Sequence, residues 1–121
     1  MADELKIRAT VTLENGNYKD TFNPGLLEVD QAAAGRGGHV QSIGTSAETV
    51  EVGDVSTLGW CVLRNCDATN YVTIGPDDSG IKNFMRLEAG EFAIFRLEPG
   101  ITIKAIANTA AVLLDVRVYE D

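Results

Sequence analysis

Residues 85–100 read MRLEAGEFAIFRLEPG, and this stretch decides the fold. The pattern x-Arg-Leu-Glu-x-Gly occurs in it twice, at residues 85–90 and 95–100. Each copy ends a short apolar run with turn residues. Pro99 pre-sets φ for a turn, and Gly90 and Gly100 reach positive φ without a Cβ clash. A strand-plus-turn unit of about ten residues is the spacing of an antiparallel all-β domain. Two copies are fewer than a solenoid needs. The stretch therefore predicts a local meander of strands and corners.

Working outward, the same grammar repeats. Residues 59–65 (GWCVLRN) carry four large or apolar side chains in a row and predict a central strand covered on both faces, with Trp60 in the core. Residues 71–75, 81–87, 101–107 and 112–119 read as further strands, and Pro76 to Gly80 (PDDSG) as a turn. Near the start, Leu5, Ile7, Ala9, Val11 and Leu13 alternate with Lys6, Arg8, Thr10 and Thr12, which predicts one half-buried strand over 5–13. Asn15-Gly16 is a hairpin signal, with strands expected at 18–22 and 26–29. Residues 31–38 (QAAAGRGG) read as a loop, because the glycines stop any helical turn that the alanines begin. Strands are expected again at 39–43 and 48–52.

The chain thus carries about ten short strands and no helix of standard length. Such strands bury their alternating faces sheet on sheet. The expected architecture is a single domain over residues 1–121, an antiparallel β-sandwich of jelly-roll type, with a small closed β-barrel as the alternative. A sandwich leaves edge strands free to pair with another subunit. Residues 1–14, an amphipathic strand at a terminus, are expected to pair with a partner.

Composition narrows the function classes. At 121 residues the chain buries enough surface to fold without a disulfide or metal staple. Lys and Arg total 10 against 18 Asp and Glu, a net charge of −8, which argues against nucleic acid and anionic membrane as partners. The opening MADELKIRAT has no apolar core of a signal peptide, and no apolar run approaches the length of a membrane span. Two cysteines without an export signal predict synthesis in a reducing cytoplasm.

Few residues invite chemistry. His39 is the only histidine and follows two glycines, which predicts a solvated loop residue. Cys61 and Cys66 have C-x4-C spacing, unlike the close pairs of zinc ribbons, and Cys61 is expected to pack as a small hydrophobe. Asp77-Asp78-Ser79-Gly80 lacks the later ligands of a calcium loop. Gly35-Arg36-Gly37-Gly38 is not followed by the residues of a phosphate loop. Glu88, Glu91 and Glu98 are the carboxylates to consider for glycoside hydrolysis, which needs a pair at about 5–9.5 Å. Glu88 and Glu98 occupy equivalent turn positions, which favours a structural role. Trp60, Tyr71 and Tyr119 are not spaced as a sugar-stacking platform. These readings assign no catalytic, cofactor-binding or metal-binding residue and predict no enzyme.

Residues 48–121 carry a resemblance. Gly44-Thr45-Ser46-Ala47-Glu48 with Gly53-Asp54-Val55 is followed by Asn65-Cys66-Asp67-Ala68-Thr69-Asn70-Tyr71-Val72-Thr73-Ile74-Gly75. After these come Leu87-x-x-Gly90-Glu91 and Ala105-x-Ala107-Asn108-Thr109-Ala110. The N-x-D-x-T-N-Y-V-x-I-G run with L-x-x-G-E resembles small β-sandwich proteins encoded among the virion structural genes of tailed bacteriophages. The resemblance implies a non-enzymatic virion component made in the bacterial host cytoplasm. It would be a capsid decoration or cement protein, or a tail accessory protein, assembled as a dimer or trimer on the major capsid or another virion protein. A carbohydrate- or receptor-binding module is the competing expectation, and a small β-fold hydrolase or isomerase the third.

Overall fold

The computed structural model describes residues 3–121. The chain divides into two compact units, one ending at Ala32 and one spanning Ala33–Asp121. In the first, β1 (Leu5–Ile7) pairs antiparallel with β4 (Leu27–Val29), and β2 (Val11–Asn15) with β3 (Tyr18–Phe22). The strand expected over 5–13 is therefore two strands with different partners. The three-residue ladder of β1 ends at Ile7, opposite Leu27, and β2 takes its register from a separate hairpin. Gly16 takes φ 60° there, the positive value a two-residue hairpin turn asks of its first central residue. No residue from 3 to 32 is buried. Met1 and Ala2 of the expected pairing segment 1–14 lie outside the described residues.

The second unit holds β5 (Arg36–Gly37), β6 (Val40–Ile43), β7 (Glu48–Thr49), β8 (Leu58–Asn65), β9 (Val72–Pro76), β10 (Met85–Leu87), β11 (Phe92–Arg96), β12 (Ile103–Ala107) and β13 (Val112–Glu120). One sheet has the order β10-β9-β12-β7; the other runs β11-β8-β13-β5, with β6 also on β13. Every pairing is antiparallel and neither sheet closes into a barrel. The pairs are nested: β9 with β10, β8 with β11, β7 with β12, β6 with β13. That nesting, split over two sheets, is jelly-roll topology.

Both sheets feed one core. Cys61 and Leu63 of β8, Ile43 of β6 and the set Val112, Leu114, Val116 and Val118 of β13 meet Val72, Ile74, Leu87, Ile103, Ala105 and Ala107 of the other sheet. Each large aliphatic in this set contributes about 1.5–3 kcal/mol by leaving water.

The repeat at 85–100 has a different meaning from a meander, because β10 and β11 lie in different sheets. Glu91 donates its backbone N–H to the Glu88 carbonyl at 3.0 Å, and Ile101 to the Glu98 carbonyl at 3.2 Å. Gly90 and Gly100 hold φ 81° and 85° at the third turn position. These are the marks of type II turns, which favour proline second and glycine third. Leu87 and Leu97 are buried just ahead of the two turns. Each copy is thus a corner at which the chain plants a leucine in the core and crosses to the opposite sheet.

Two other expectations change. Arg36 and Gly37 belong to the sheet, paired with Tyr119 and Val118, where the sequence reads as loop. A Cβ on Gly37 would collide with the Val52 carbonyl, so glycine is what lets the backbones approach. Trp60 is not in the core. It alternates with buried Cys61 and stands half-buried on the outer face of β8. The run Trp60-Cys61-Val62-Leu63 reads as fully covered only because the outer residues are also apolar.

Candidate functional site

The polar residues that distinguish the chain are mostly holding corners. Asn65 is fully buried at the end of β8. Its amide donates to the carbonyls of Asn70 at 2.9 Å and Leu87 at 3.1 Å, and its Oδ1 accepts the Asp67 backbone N–H at 2.9 Å. Asp67 in turn accepts the backbone N–H groups of Asn70 at 2.6 Å and Thr69 at 3.0 Å. Those bonds lower the Asp67 pKa. Thr109 Oγ1 donates to Asn70 Oδ1 at 2.8 Å, tying in the last turn. Asn65, Asp67, Thr69 and Asn70 therefore form one lock around the β8–β9 connection. Gln41 stitches one side of the sandwich, donating to the Thr49 carbonyl and accepting from the Glu51 N–H, both at 2.9 Å.

The residues considered for chemistry do not converge. His39 is exposed between β5 and β6. Cys61 is buried and Cys66 exposed, both as free thiols, and burial pushes the Cys61 thiol up to about 12. Glu88 and Glu91 share one corner, where the Glu88 N–H donates to Glu91 Oε1 at 2.8 Å. Glu98 starts the other corner, at the far end of the five-residue strand β11. At about 3.4 Å per residue that separation exceeds the reach of a paired-carboxylate site. Asp77 accepts the Gly80 N–H at 3.0 Å within its own turn. Among the described residues, no three His, Cys, Asp or Glu side chains cluster as metal ligands do. Arg86 stacks over Tyr71 at 3.9 Å and sits 3.6 Å from Glu88.

Three surfaces remain. In the hairpin β2–β3, Val11 faces Phe22, Leu13 faces Asp20 and Asn15 faces Tyr18. Directly opposed residues share a face, so Val11, Leu13, Phe22 and Tyr18 form one apolar face. All four are exposed, Tyr18 by 70% and Val11 by 61%. On the sandwich, an apolar cleft of about 460 Å³ lies beside the edge strands β10 and β11, among Phe84, Met85, Phe95, Leu97 and Ile101.

The third surface is the outer face of the five-stranded sheet. Residues alternating with the buried set point outward: Trp60, Val62 and Arg64 on β8; Phe92, Ile94 and Arg96 on β11; Asp115, Arg117 and Tyr119 on β13; Arg36 on β5. Val62, Arg64, Phe92, Asp115, Arg117 and Tyr119 line a shallow depression of about 480 Å³. Arg117 pairs with Asp115 at 3.2 Å, and Arg96 with Asp121 at 3.4 Å. The Trp60 indole N–H is shielded without a hydrogen-bond partner among the described residues.

Compared with protein-family models, curated proteins and solved structures, the chain gives no significant match. Sequence reading did not find the outer face. Its signal was the alternation Trp60-Val62-Arg64 against Cys61-Leu63-Asn65, hidden because both sets are largely apolar. The hairpin's exposure had no signal of its own, since an amphipathic pattern does not say what covers the apolar side.

Proposed function

We propose that the chain is a non-enzymatic structural protein of a phage particle, a decoration or cement protein that binds the assembled capsid and stabilises it. The observation that carries this reading is the N-terminal unit. A two-stranded hairpin alone is marginal in water, yet this one keeps Val11, Leu13, Tyr18 and Phe22 exposed. Such a segment gains its stability by covering that face on a partner. A jelly roll with a net charge of −8 stays soluble until it docks. The corner motifs at Asn65–Asn70 and Leu87–Gly90, which resemble those of phage virion β-sandwiches, stiffen the sandwich unit. Many copies on a symmetric shell then add weak contacts into firm attachment.

The test is co-sedimentation of the purified protein with empty capsids assembled without it. Binding at a fixed copy number, a raised capsid melting temperature, and loss of both on deleting residues 1–32 are expected. Binding to isolated tails instead assigns a tail accessory role. Absence of binding to heads and tails alike removes the reading.

A further inference from the structure

The outer face of the five-stranded sheet is chemically unlike the rest of this acidic chain. Four of its side chains are arginines, Arg36, Arg64, Arg96 and Arg117, out of 10 Lys and Arg in the whole sequence. Two of them are answered by Asp121 and Asp115. Arg36 and Arg64 have no carboxylate within ion-pair distance among the described residues. Between the arginines stand Phe92, exposed by 64%, and the half-buried Trp60 and Tyr119. Arginine and aromatic side chains with a shallow depression are the composition of interface centres. The shielded Trp60 indole N–H lacks an acceptor among the described residues.

The complement to this face is also in the sequence. Residues 3–32 contain Asp3, Glu4, Glu14, Asp20, Glu28 and Asp30 against Lys6, Arg8 and Lys19. They expose aliphatic and aromatic side chains that are not buried within their own unit. We infer that a second copy of this chain is the occupant: the acidic, apolar N-terminal arm of one copy docks on the arginine-aromatic sheet face of the next. The inference rests on the reading of the chain as an assembling structural protein and names the contact by which it self-associates. Charge complementarity selects the pairing, and the apolar hairpin face over Phe92 and Val62 supplies the buried area. The two surfaces in contact differ, so each copy offers one arm and one face, and repeating the contact builds an oligomer.

Light scattering on the purified full chain tests this without any capsid. In low salt the expected species is an oligomer, and raising the ionic strength weakens it, because the contact is partly between exposed charges. Arg64→Glu on the face, and separately Val11→Asp with Phe22→Asp on the arm, each weaken association by roughly tenfold or more. All three positions are exposed, so circular dichroism of each variant should match the parent. The deciding measurement mixes the face variant with the arm variant. One intact arm and one intact face remain in the mixture, so a one-to-one complex forms that cannot grow further. A parent that is monomeric in low salt, an Arg64→Glu variant of unchanged mass, or a mixture that stays monomeric overturns the inference. So does a parent that gains mass with a single-stranded oligonucleotide in place of itself. Self-association by this rule in a protein that binds no capsid would leave the inference standing and remove the decoration reading.

Discussion

Asn65 has no exposed surface and satisfies two carbonyls and one N–H around the β8–β9 corner. Replacing it with alanine leaves the buried bond to the Leu87 carbonyl and two part-buried bonds unmade, so Asn65→Ala is expected to lower unfolding free energy by about 2–3 kcal/mol in urea titration. Its neighbour Asp67 acts through charge. The folded-state pKa lies below the ordinary 3.8 because backbone N–H groups of Asn70 and Thr69 hold the carboxylate. Its contribution is therefore fully present above that ordinary value and is lost as pH falls through the folded pKa. Asp67→Asn should flatten the acid side of the stability–pH curve while leaving its neutral-pH shape alone. The thiols divide by burial. A thiol reagent at mild alkaline pH should label Cys66 at once and Cys61 only after denaturation, since burial pushes the latter up to about 12. Cys61 was legible as a core residue from its apolar neighbours. Trp60 was not, because an apolar run does not say which face of a strand a sheet leaves open.

At the scale of elements, the two corners of the 85–100 repeat are a natural comparison. They share the buried leucine and the positive-φ glycine but differ at the second turn position, Ala89 against Pro99. The second position of a type II turn suits proline, so Ala89→Pro is expected to raise stability by about 0.4–1 kcal/mol through the unfolded state. Gly100→Ala forces a Cβ into φ 85° and should cost about 1–2 kcal/mol, read from the same denaturation curves. β11 and β12 were legible within two residues, since turn chemistry and alternation agree there, whereas β10, expected from residue 81, begins only at Met85 because Ile81 closes back on Asp77 in the preceding turn. Sheet assignment was not, because consecutive strands that pair and consecutive strands that cross the core have the same local sequence grammar. β5 was hidden for a related reason: Gly37 in it and Gly38 just after it, which read as loop, let the backbones of Val52 and Val116 come close.

For the whole molecule, every buried residue among those described falls between Gly37 and Val118. The cooperative core is therefore complete without residues 1–32, and the fragment 33–121 is expected to fold and to unfold in one transition. Its midpoint should not move with protein concentration. The full chain behaves differently if its arm is an assembly device. Association that occurs only in the native state stabilises by mass action, so the full-chain melting temperature should climb as concentration rises in low salt, and lose that slope in high salt. A full chain and a fragment that melt alike at every concentration would mean that the exposed hairpin adds nothing to self-assembly. The comparison separates two roles for residues 3–32, adding to the stability of the single chain or adding to its association, and no side chain among them is buried within the chain.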